Sequence, residues 1–176
     1  MSEYKRTYVP GASYFFTVNL ANRKQSLLVD HVDELRLAFK TVKKKWPFSI
    51  DAIVILPEHL HSVWTLPLND SDYSSRWRLI KSQFSRSLPL GEKNTISRIL
   101  KGERGVWQRG YWEHLIRDER DYQQHIQYIH YNPVKHGCCE AVVDWPYSSF
   151  HRFVERGYYT KDWGKNLKNI TTEYGE

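Results

Sequence analysis

Residues 51–66 constrain the fold most strongly, because they form two short apolar runs separated by a single break. Their sequence is D-A-I-V-I-L-P-E-H-L-H-S-V-W-T-L. The runs 52–56 and 60–66 have the length and the β-branched and aromatic content that are typical of strands, and Pro57 begins the connection between them. We therefore predict two consecutive strands here, with two histidines at the start of the second.

The two histidines, His59 and His61, are two residues apart, so both imidazoles point to the same face of an extended chain. Their Cα atoms would lie about 6.5–7 Å apart, which lets two ring nitrogens converge on one cation. Two ligands leave such a site incomplete, so a third ligand must come from another segment. The alternative is that both side chains are exposed or only form hydrogen bonds. Glu58 either orients the His59 imidazole or merely ends the turn.

The remaining hydrophobic pattern predicts the element order β-α-β-β-α-β. The first strand is expected at 13–20 and the last strand region at 106–116. Apolar residues recur at helical spacing after each of two candidate N-caps, which are Asp30 for the first helix and Ser74 or Ser75 for the second. This order is the split arrangement of ferredoxin-like folds. We predict an α+β fold with an antiparallel sheet and helices packed on one face.

A further helix, predicted at 118–132, supplies the candidate third ligand. Pro133 is expected to end it. Tyr128 and Asn132 are four residues apart, so a phenol and an amide oxygen lie side by side on its surface. A phenol with a pKa near 10 is a poor nucleophile unless a cation or base lies beside its target. The isolated spacing by itself favours a structural tyrosine, because tyrosines are common in helices, and His125 is a spare candidate for a base or a ligand.

Composition narrows the partner and the compartment. The 176 residues fit one domain, and a net charge of +6 with a pI near 9.2 favours a polyanionic partner. Seven Trp and twelve Tyr suit stacking on unpaired bases as well as core packing. Cys138 and Cys139 are adjacent and are the only cysteines, so a reducing compartment is expected. Without a signal peptide or a run of about 20 apolar residues, we expect a cytoplasmic protein and no membrane partner.

An ordered series of motifs extends across most of the chain. It comprises L-P-E-H-L-H at 56–61, S-S-R-W at 74–77, W-Q-R-G-Y-W-E-H at 107–114, D-Y-x-x-H-I-x-Y-I at 121–129, N-P-V-K-H-G at 132–137 and D-W-P-Y-S-S-F-H at 144–151. This series resembles the REP-associated tyrosine transposases, which are HUH-type single-tyrosine enzymes. The resemblance covers roughly residues 1–164, which we take as the domain, followed by a polar tail at 165–176.

The resemblance implies a ferredoxin-like domain that cuts and rejoins single-stranded DNA next to repeated extragenic palindromes (REP). By position, Tyr128 resembles the nucleophile, which forms a 5′-phosphotyrosine and releases a 3′-OH. His59 and His61 resemble the metal pair for Mg²⁺ or Mn²⁺. Asn132 stands where related transposases carry a third ligand on the helix. Many of those have the longer Gln, so a water bridge from Asn132 is the alternative to direct coordination.

The implied partner is hairpin DNA with a single-stranded flank, and we expect a monomer while leaving a dimer open. A palindrome-binding protein without catalysis is the alternative function on the same fold. The tail either is flexible or folds back near the active site. Phosphates are expected to contact a set of basic side chains, namely Lys5, Arg6, Arg23, Lys24, Arg76, Arg78, Lys81 and Arg109.

Overall fold

The computed structural model describes residues 6–91, 94–167 and 174–176. Along these ranges the elements are β1 Ser13–Asn19, α1 Leu27–Asp30, α2 Val32–Lys45, β2 Ser49–Ile55, β3 His59–Thr65, α3 Tyr73–Ser87, α4 Ile96–Leu100, β4 Trp112–Leu115, α5 Glu119–Lys135, a 3₁₀ turn Val142–Asp144 and α6 Phe150–Glu155. Of the helices in these ranges, none combines the length and apolar character needed to cross a membrane.

The four strands form one antiparallel sheet in the order β2-β3-β1-β4. Each β-α-β unit is split by a strand of the other unit, which confirms the predicted ferredoxin-like α+β fold. Strand β3 lies between β1 and β2, and the Cα of His61 is paired with Thr17 on one side and Val54 on the other. The histidine strand is therefore held from both edges.

One face of the sheet packs against α2 and α3 through aromatic side chains. Phe16 from β1 and Trp64 from β3 meet Trp77 from α3, and the two indole rings stack with centroids 4.2 Å apart. All three side chains are fully buried. Because strand residues alternate between faces, the neighbours Phe15 and Val63 point to the opposite side.

The opposite face is covered by α5. Ile126 and Ile129 of this helix pack with Phe15, Val63 and Val54 of the sheet in a second, smaller apolar cluster. Tyr122 of the same helix is only partly buried at the edge of this cluster. The added tyrosine-bearing helix thus lies on the face that α2 and α3 leave open.

The caps predicted from sequence for the first two main helices are wrong. His31 precedes α2, and Asp30 ends the short α1, where its carboxylate accepts a hydrogen bond from Ser26 Oγ at 2.5 Å. Asp72 rather than a serine caps α3, because its carboxylate accepts the backbone N–H of Ser75 at 2.9 Å.

The end predicted for α5 is also wrong, since the helix continues through Pro133 to Lys135. A proline inside a helix removes one backbone hydrogen bond and crowds the preceding turn. Here Asn132 and Pro133 are both buried, and His136 N–H still bonds to the Asn132 carbonyl at 3.0 Å. Tertiary packing therefore holds the last turn in place. The extra turn matters because it contains Lys135.

Candidate active site

His59 and His61 both point towards α5 from consecutive odd positions of β3, and both are fully buried. Their ring centroids are 4.8 Å apart. The Thr17 hydroxyl donates to the Tyr174 carbonyl, so it accepts from His61 Nδ1–H at 2.8 Å. His59 Nδ1 donates to the Glu58 carboxylate at 2.8 Å. With Nδ1 as the donor, the neutral form of each imidazole has its lone pair on Nε2, and neither Nε2 has a hydrogen-bond partner among the described residues.

Glu58 orients His59 from the connection between β2 and β3. Burial raises the pKa of this carboxyl, but hydrogen bonds from His59 and from Arg23, at 3.1 Å, outweigh burial and lower the pKa to about 2. Glu58 is therefore a carboxylate at neutral pH and accepts from His59 Nδ1. Arg23, which sequence analysis assigned to DNA phosphates, is tied to this carboxylate in the structure.

Asn132 supplies the third candidate ligand atom. Its side chain is fully buried, and its Oδ1 accepts no hydrogen bond from the part of the chain that the structure describes. The amide nitrogen donates to Glu176 Oε1 at 3.1 Å, which leaves the oxygen as the free acceptor. A buried acceptor without a donor is costly, by about 1–3 kcal/mol, unless something else binds it.

Tyr128 lies beside His61, with ring centroids 5.2 Å apart, and only 1% of it is exposed. Its hydroxyl accepts a hydrogen bond from Lys135 Nζ at 3.2 Å, and the ammonium lies 4.9 Å from the centre of the phenol ring. Lys135 follows Tyr128 by seven residues, or about two helical turns. Lys135 is part of the N-P-V-K-H-G motif at 132–137, but no role was predicted for it from the sequence.

The carboxylate of Glu176 lies among these side chains, so the end of the tail takes the second of the two predicted alternatives and folds back near the candidate site. No role was predicted for Glu176 itself. It accepts from Lys135 at 3.0 Å, lies 3.1 Å from His136 Nε2 and 3.4 Å from His61 Nε2, and accepts from Asn132. Burial raises the pKa of Glu176 to about 7, although the Arg23 charge opposes the shift. A carboxyl group that is only partly ionised at neutral pH is thus seated against the histidines, the helix amide and the lysine.

The donor set fits a divalent cation. Burial and the neighbouring His59 lower the pKa of His61 well below its usual value, so His61 is neutral, which is the form that binds metal. Two imidazoles and an amide oxygen are within the ligand preferences of Mn²⁺ and Mg²⁺. His136 and Glu176 also lie close enough to His59 to offer a second ligand set around the same histidine.

His125 has no contact with the histidine pair. Its Nδ1 donates to the Asp121 carbonyl at 2.8 Å, and its ring packs on Phe15, with centroids 4.7 Å apart. The Phe15 ring also stacks against His61 at 5.5 Å. The supporting role suggested for His125 therefore stays a prediction, and any effect on the histidine pair would be transmitted through Phe15.

A basic cavity of about 950 Å³ opens beside α3, α4 and the approach to β4. Arg78 is exposed there, whereas Arg6 is paired with Glu113 at 3.0 Å and Arg109 with Glu103 at 2.8 Å. Eight basic side chains line the cavity. Four of them were predicted from sequence to contact phosphates, namely Arg6, Arg78, Lys81 and Arg109. The other four, which were not predicted, are Arg86, Arg98, Lys101 and Arg104. Lys24 is exposed outside the cavity, and Lys5 lies outside the described residues.

Lys81 and Arg76 show how differently two basic residues of α3 are used. Burial and the nearby charges of Arg6 and Arg98 lower the pKa of Lys81 to about 8. Lys81 lines the cavity, and its ammonium donates to the backbone carbonyls of Gln108 at 3.0 Å and Gly110 at 2.6 Å. Arg76 is 1% exposed, and its guanidinium is bound by Asp70 at 2.6 Å and by three backbone carbonyls. The DNA-contact role predicted for Arg76 is therefore wrong, because this buried arginine forms a structural ion pair with Asp70.

The chain is similar in sequence and structure to known transposases. Residues 9–132 match the family model described as Transposase IS200 like. A REP-associated tyrosine transposase of Escherichia coli (strain K12) is 48% identical over 171 residues, covering 97% of this chain and 96% of the relative. A solved structure of a REP-associated tyrosine transposase bound to a REP hairpin matches with a TM-score of 0.86 and 46% identity, over 100% of this chain and 98% of that one.

Proposed function

Since this chain belongs to the IS200-like transposases and, among them, to the REP-associated tyrosine transposases, we propose that it cleaves and rejoins single-stranded DNA beside REP hairpins through a 5′-phosphotyrosine. One observation carries the proposal. His59 Nε2, His61 Nε2 and Asn132 Oδ1 are buried acceptors without hydrogen-bond partners in the described ranges, and the Tyr128 ring lies against the His61 ring.

His59, His61 and Asn132 would hold Mn²⁺ or Mg²⁺ through these three atoms. When bound, such a cation acts as a Lewis acid on a phosphate oxygen and offsets the charge that develops during attack. Glu58 and Thr17 keep the two imidazoles in the required tautomer through their bonds to Nδ1. The chain thus supplies an oriented ligand pair.

Tyr128 is the proposed nucleophile, and Lys135 assists it. The phenol oxygen of Tyr128 bonds to the phosphorus as the bond between the phosphorus and the 3′-oxygen breaks. The phenol loses a proton, and the 3′-oxygen gains one. The Lys135 ammonium, 3.2 Å from the phenol oxygen, stabilises the phenolate as it attacks. It stabilises the same phenolate again as the leaving group when a 3′-OH rejoins the strand.

The basic cavity is the proposed route for DNA. Its eight cations provide phosphate contacts that are independent of sequence. A second cavity of about 420 Å³ shares residues 108–111 with it and continues to Trp112 and Glu176 at the histidine site. The related transposase in the matching solved structure binds a REP hairpin, and we assign the same class of partner to this chain.

The proposal is tested with a REP hairpin that carries a single-stranded flank, incubated with Mn²⁺ or Mg²⁺ and separated under denaturing conditions. The wild-type chain should form a covalent protein–DNA adduct, and Tyr128→Phe should form none. Tyr131→Phe is the matched control, because Tyr131 is on the same helix and its hydroxyl bonds to the Leu167 carbonyl at 3.2 Å. An adduct with Tyr128→Phe would refute the nucleophile. Hairpin binding without cleavage by wild type would instead favour the palindrome-binding alternative.

A further inference from the structure

Four rings enclose the side chain of Tyr174 next to the candidate nucleophile. The Tyr174 ring centroid lies 5.6 Å from Phe15, 5.9 Å from Trp112, 4.4 Å from His125 and 4.8 Å from Tyr128. We call these four rings the aromatic slot. No role in the proposed chemistry has been given to Phe15, Trp112 or His125, so the slot needs its own explanation.

The slot forms where β1, β4 and α5 meet. Strands β1 and β4 are neighbours in the sheet, with Thr17 paired to Trp112, so Phe15 and Trp112 pack edge to face at 5.7 Å. His125 and Tyr128 are three residues apart on α5 and therefore face the same side of the helix. One wall of the slot is thus the nucleophile itself, so an occupant would lie directly beside the reacting phosphate.

The backbone that follows Tyr174 continues across the slot to the histidine pair. The carbonyls of Tyr174 and Gly175 accept hydrogen bonds from Thr17 and Asn19 of β1. Gly175 has φ +70°, and a Cβ there would lie 2.5 Å from the Cβ of Trp112, so only glycine allows this approach to Trp112. Residues 174–176 therefore place a flat ring in the slot and an anion at the histidines, joined by a short linker.

A nucleotide has the same layout, with a flat base and an anionic phosphate joined by a sugar. We propose that the aromatic slot binds one unpaired base of the DNA strand, next to the phosphate that Tyr128 attacks. This inference rests on the proposed function. Every base has a face that can stack on aromatic rings, and bases also carry N–H donors. His125 Nε2, a buried acceptor with no partner among the described residues, belongs to the slot wall and suits such a donor.

The surrounding surface directs a strand to this slot. The lining of the cavity of about 420 Å³ includes Arg109, Trp112 and the tail residues Gly175 and Glu176. Through residues 108–111 it joins the basic cavity. A strand whose phosphates are held in the basic cavity would therefore pass Trp112 before it reaches Tyr128.

The test measures binding of a REP hairpin whose single-stranded flank contains an abasic unit at each position in turn. Binding is measured in EDTA, so that no strand is cut. Wild type is compared with Trp112→Ala, with Trp112→Phe, which retains a stacking ring, and with Trp46→Ala as a control on a partly exposed tryptophan outside the slot. Thermal melting of each variant checks that it is folded.

At one flank position, loss of the base should weaken binding by wild type and by Trp46→Ala about 5- to 150-fold, the range expected for a stacked base. The same loss should cost Trp112→Ala less than twofold, and Trp112→Phe should recover much of the penalty. Equal penalties in wild type and Trp112→Ala at every position would overturn the proposal.

A second measurement replaces Tyr174, the side chain that occupies the aromatic slot in this structure. Tyr174→Ala should bind the intact hairpin several-fold more tightly, because its ring no longer competes with the base, whereas Tyr174→Phe should match wild type. Weaker binding by Tyr174→Ala would show that the ring is part of the fold, and would contradict the proposal. Since none of these measurements needs cleavage, a failure of the slot and a failure of the covalent adduct are separate results.

Discussion

The two faces of the sheet are built by the same strands but differ in how completely their polar atoms are satisfied. Phe16 and Trp64 on the first face pack into the aromatic core with Trp77. The alternate residues His59 and His61 on the second face leave ligand nitrogens without partners among the described residues. The aromatic core also has unsatisfied polar atoms, because the indole N–H groups of Trp64 and Trp77 have no hydrogen-bond acceptor among the described residues.

The difference lies in the chemistry of the unsatisfied atoms. A buried indole N–H can only donate a hydrogen bond, so it cannot bind a cation. Neutral imidazole nitrogens and an amide oxygen are lone-pair donors that a divalent cation can satisfy together. The face packed by α5 therefore gives up some stability for a site, whereas the face packed by α2 and α3 supplies most of the apolar core.

The comparison is tested most strongly by one large substitution on each face. His61→Ala should lower the rate of adduct formation by about 10²–10³-fold, since it removes a ligand to the charge-stabilising cation. It should change the melting temperature little. Trp77→Ala should instead lower the free energy of unfolding by about 3–5 kcal/mol, as expected for a large core residue. Chemical denaturation and adduct kinetics measure the two effects; equal loss of stability in both variants would remove the distinction.

A smaller effect is expected at Lys135, which belongs to the second face but binds no metal in this account. Lys135→Met should slow adduct formation about 10- to 100-fold by removing the cation beside the Tyr128 oxygen. Lys135→Arg should restore most of the rate. Replacing Tyr128 with a fluorinated tyrosine, whose phenolate needs less stabilisation, should partly rescue Lys135→Met. A purely structural lysine would give no such rescue.

The smallest effect is expected at Glu176, whose carboxylate lies next to His61, where the proposed function places a DNA phosphate. Glu176→Gln removes the charge that Lys135 holds at 3.0 Å. Because the two side chains are only 16% and 8% exposed, we take about 1 kcal/mol, the upper end of the range for exposed ion pairs. Single-turnover cleavage should become about fivefold faster. The exchange Glu155→Gln, at the exposed last residue of α6, serves as the control. Slower cleavage by Glu176→Gln would mean that the carboxylate assists the reaction.

Much of the fold and the histidine pair could be predicted because they depend on local pattern. The alternation of β3 was enough to place His59 and His61 on one face, and the order of apolar segments predicted the split sheet. Arg76 was misassigned because its partner Asp70 lies before the helix, where a helical pattern shows nothing. The position of a residue on a helix predicts the direction of its side chain, but it does not predict which segment of the chain packs against that side chain.

The rest of the site comes from contacts that sequence spacing does not encode. Glu176 meets Asn132 across 44 residues, and Tyr174 meets Thr17 across 157. No local rule relates such segments. Lys135 was accessible in principle, because seven residues on a helix return to the same side as Tyr128. It was missed because Pro133 was taken as the end of the helix.

The identity of the linked tyrosine tests the central claim most directly. Tyr122, Tyr128 and Tyr131 lie on one tryptic peptide, residues 121–135, so fragmentation of the adduct in a mass spectrometer can assign the attached nucleotide among them. We predict that the nucleotide is attached through a 5′-phosphate to Tyr128 alone, and that EDTA abolishes the adduct. Attachment to Tyr131, to Tyr174 or to any residue other than Tyr128 would contradict the account.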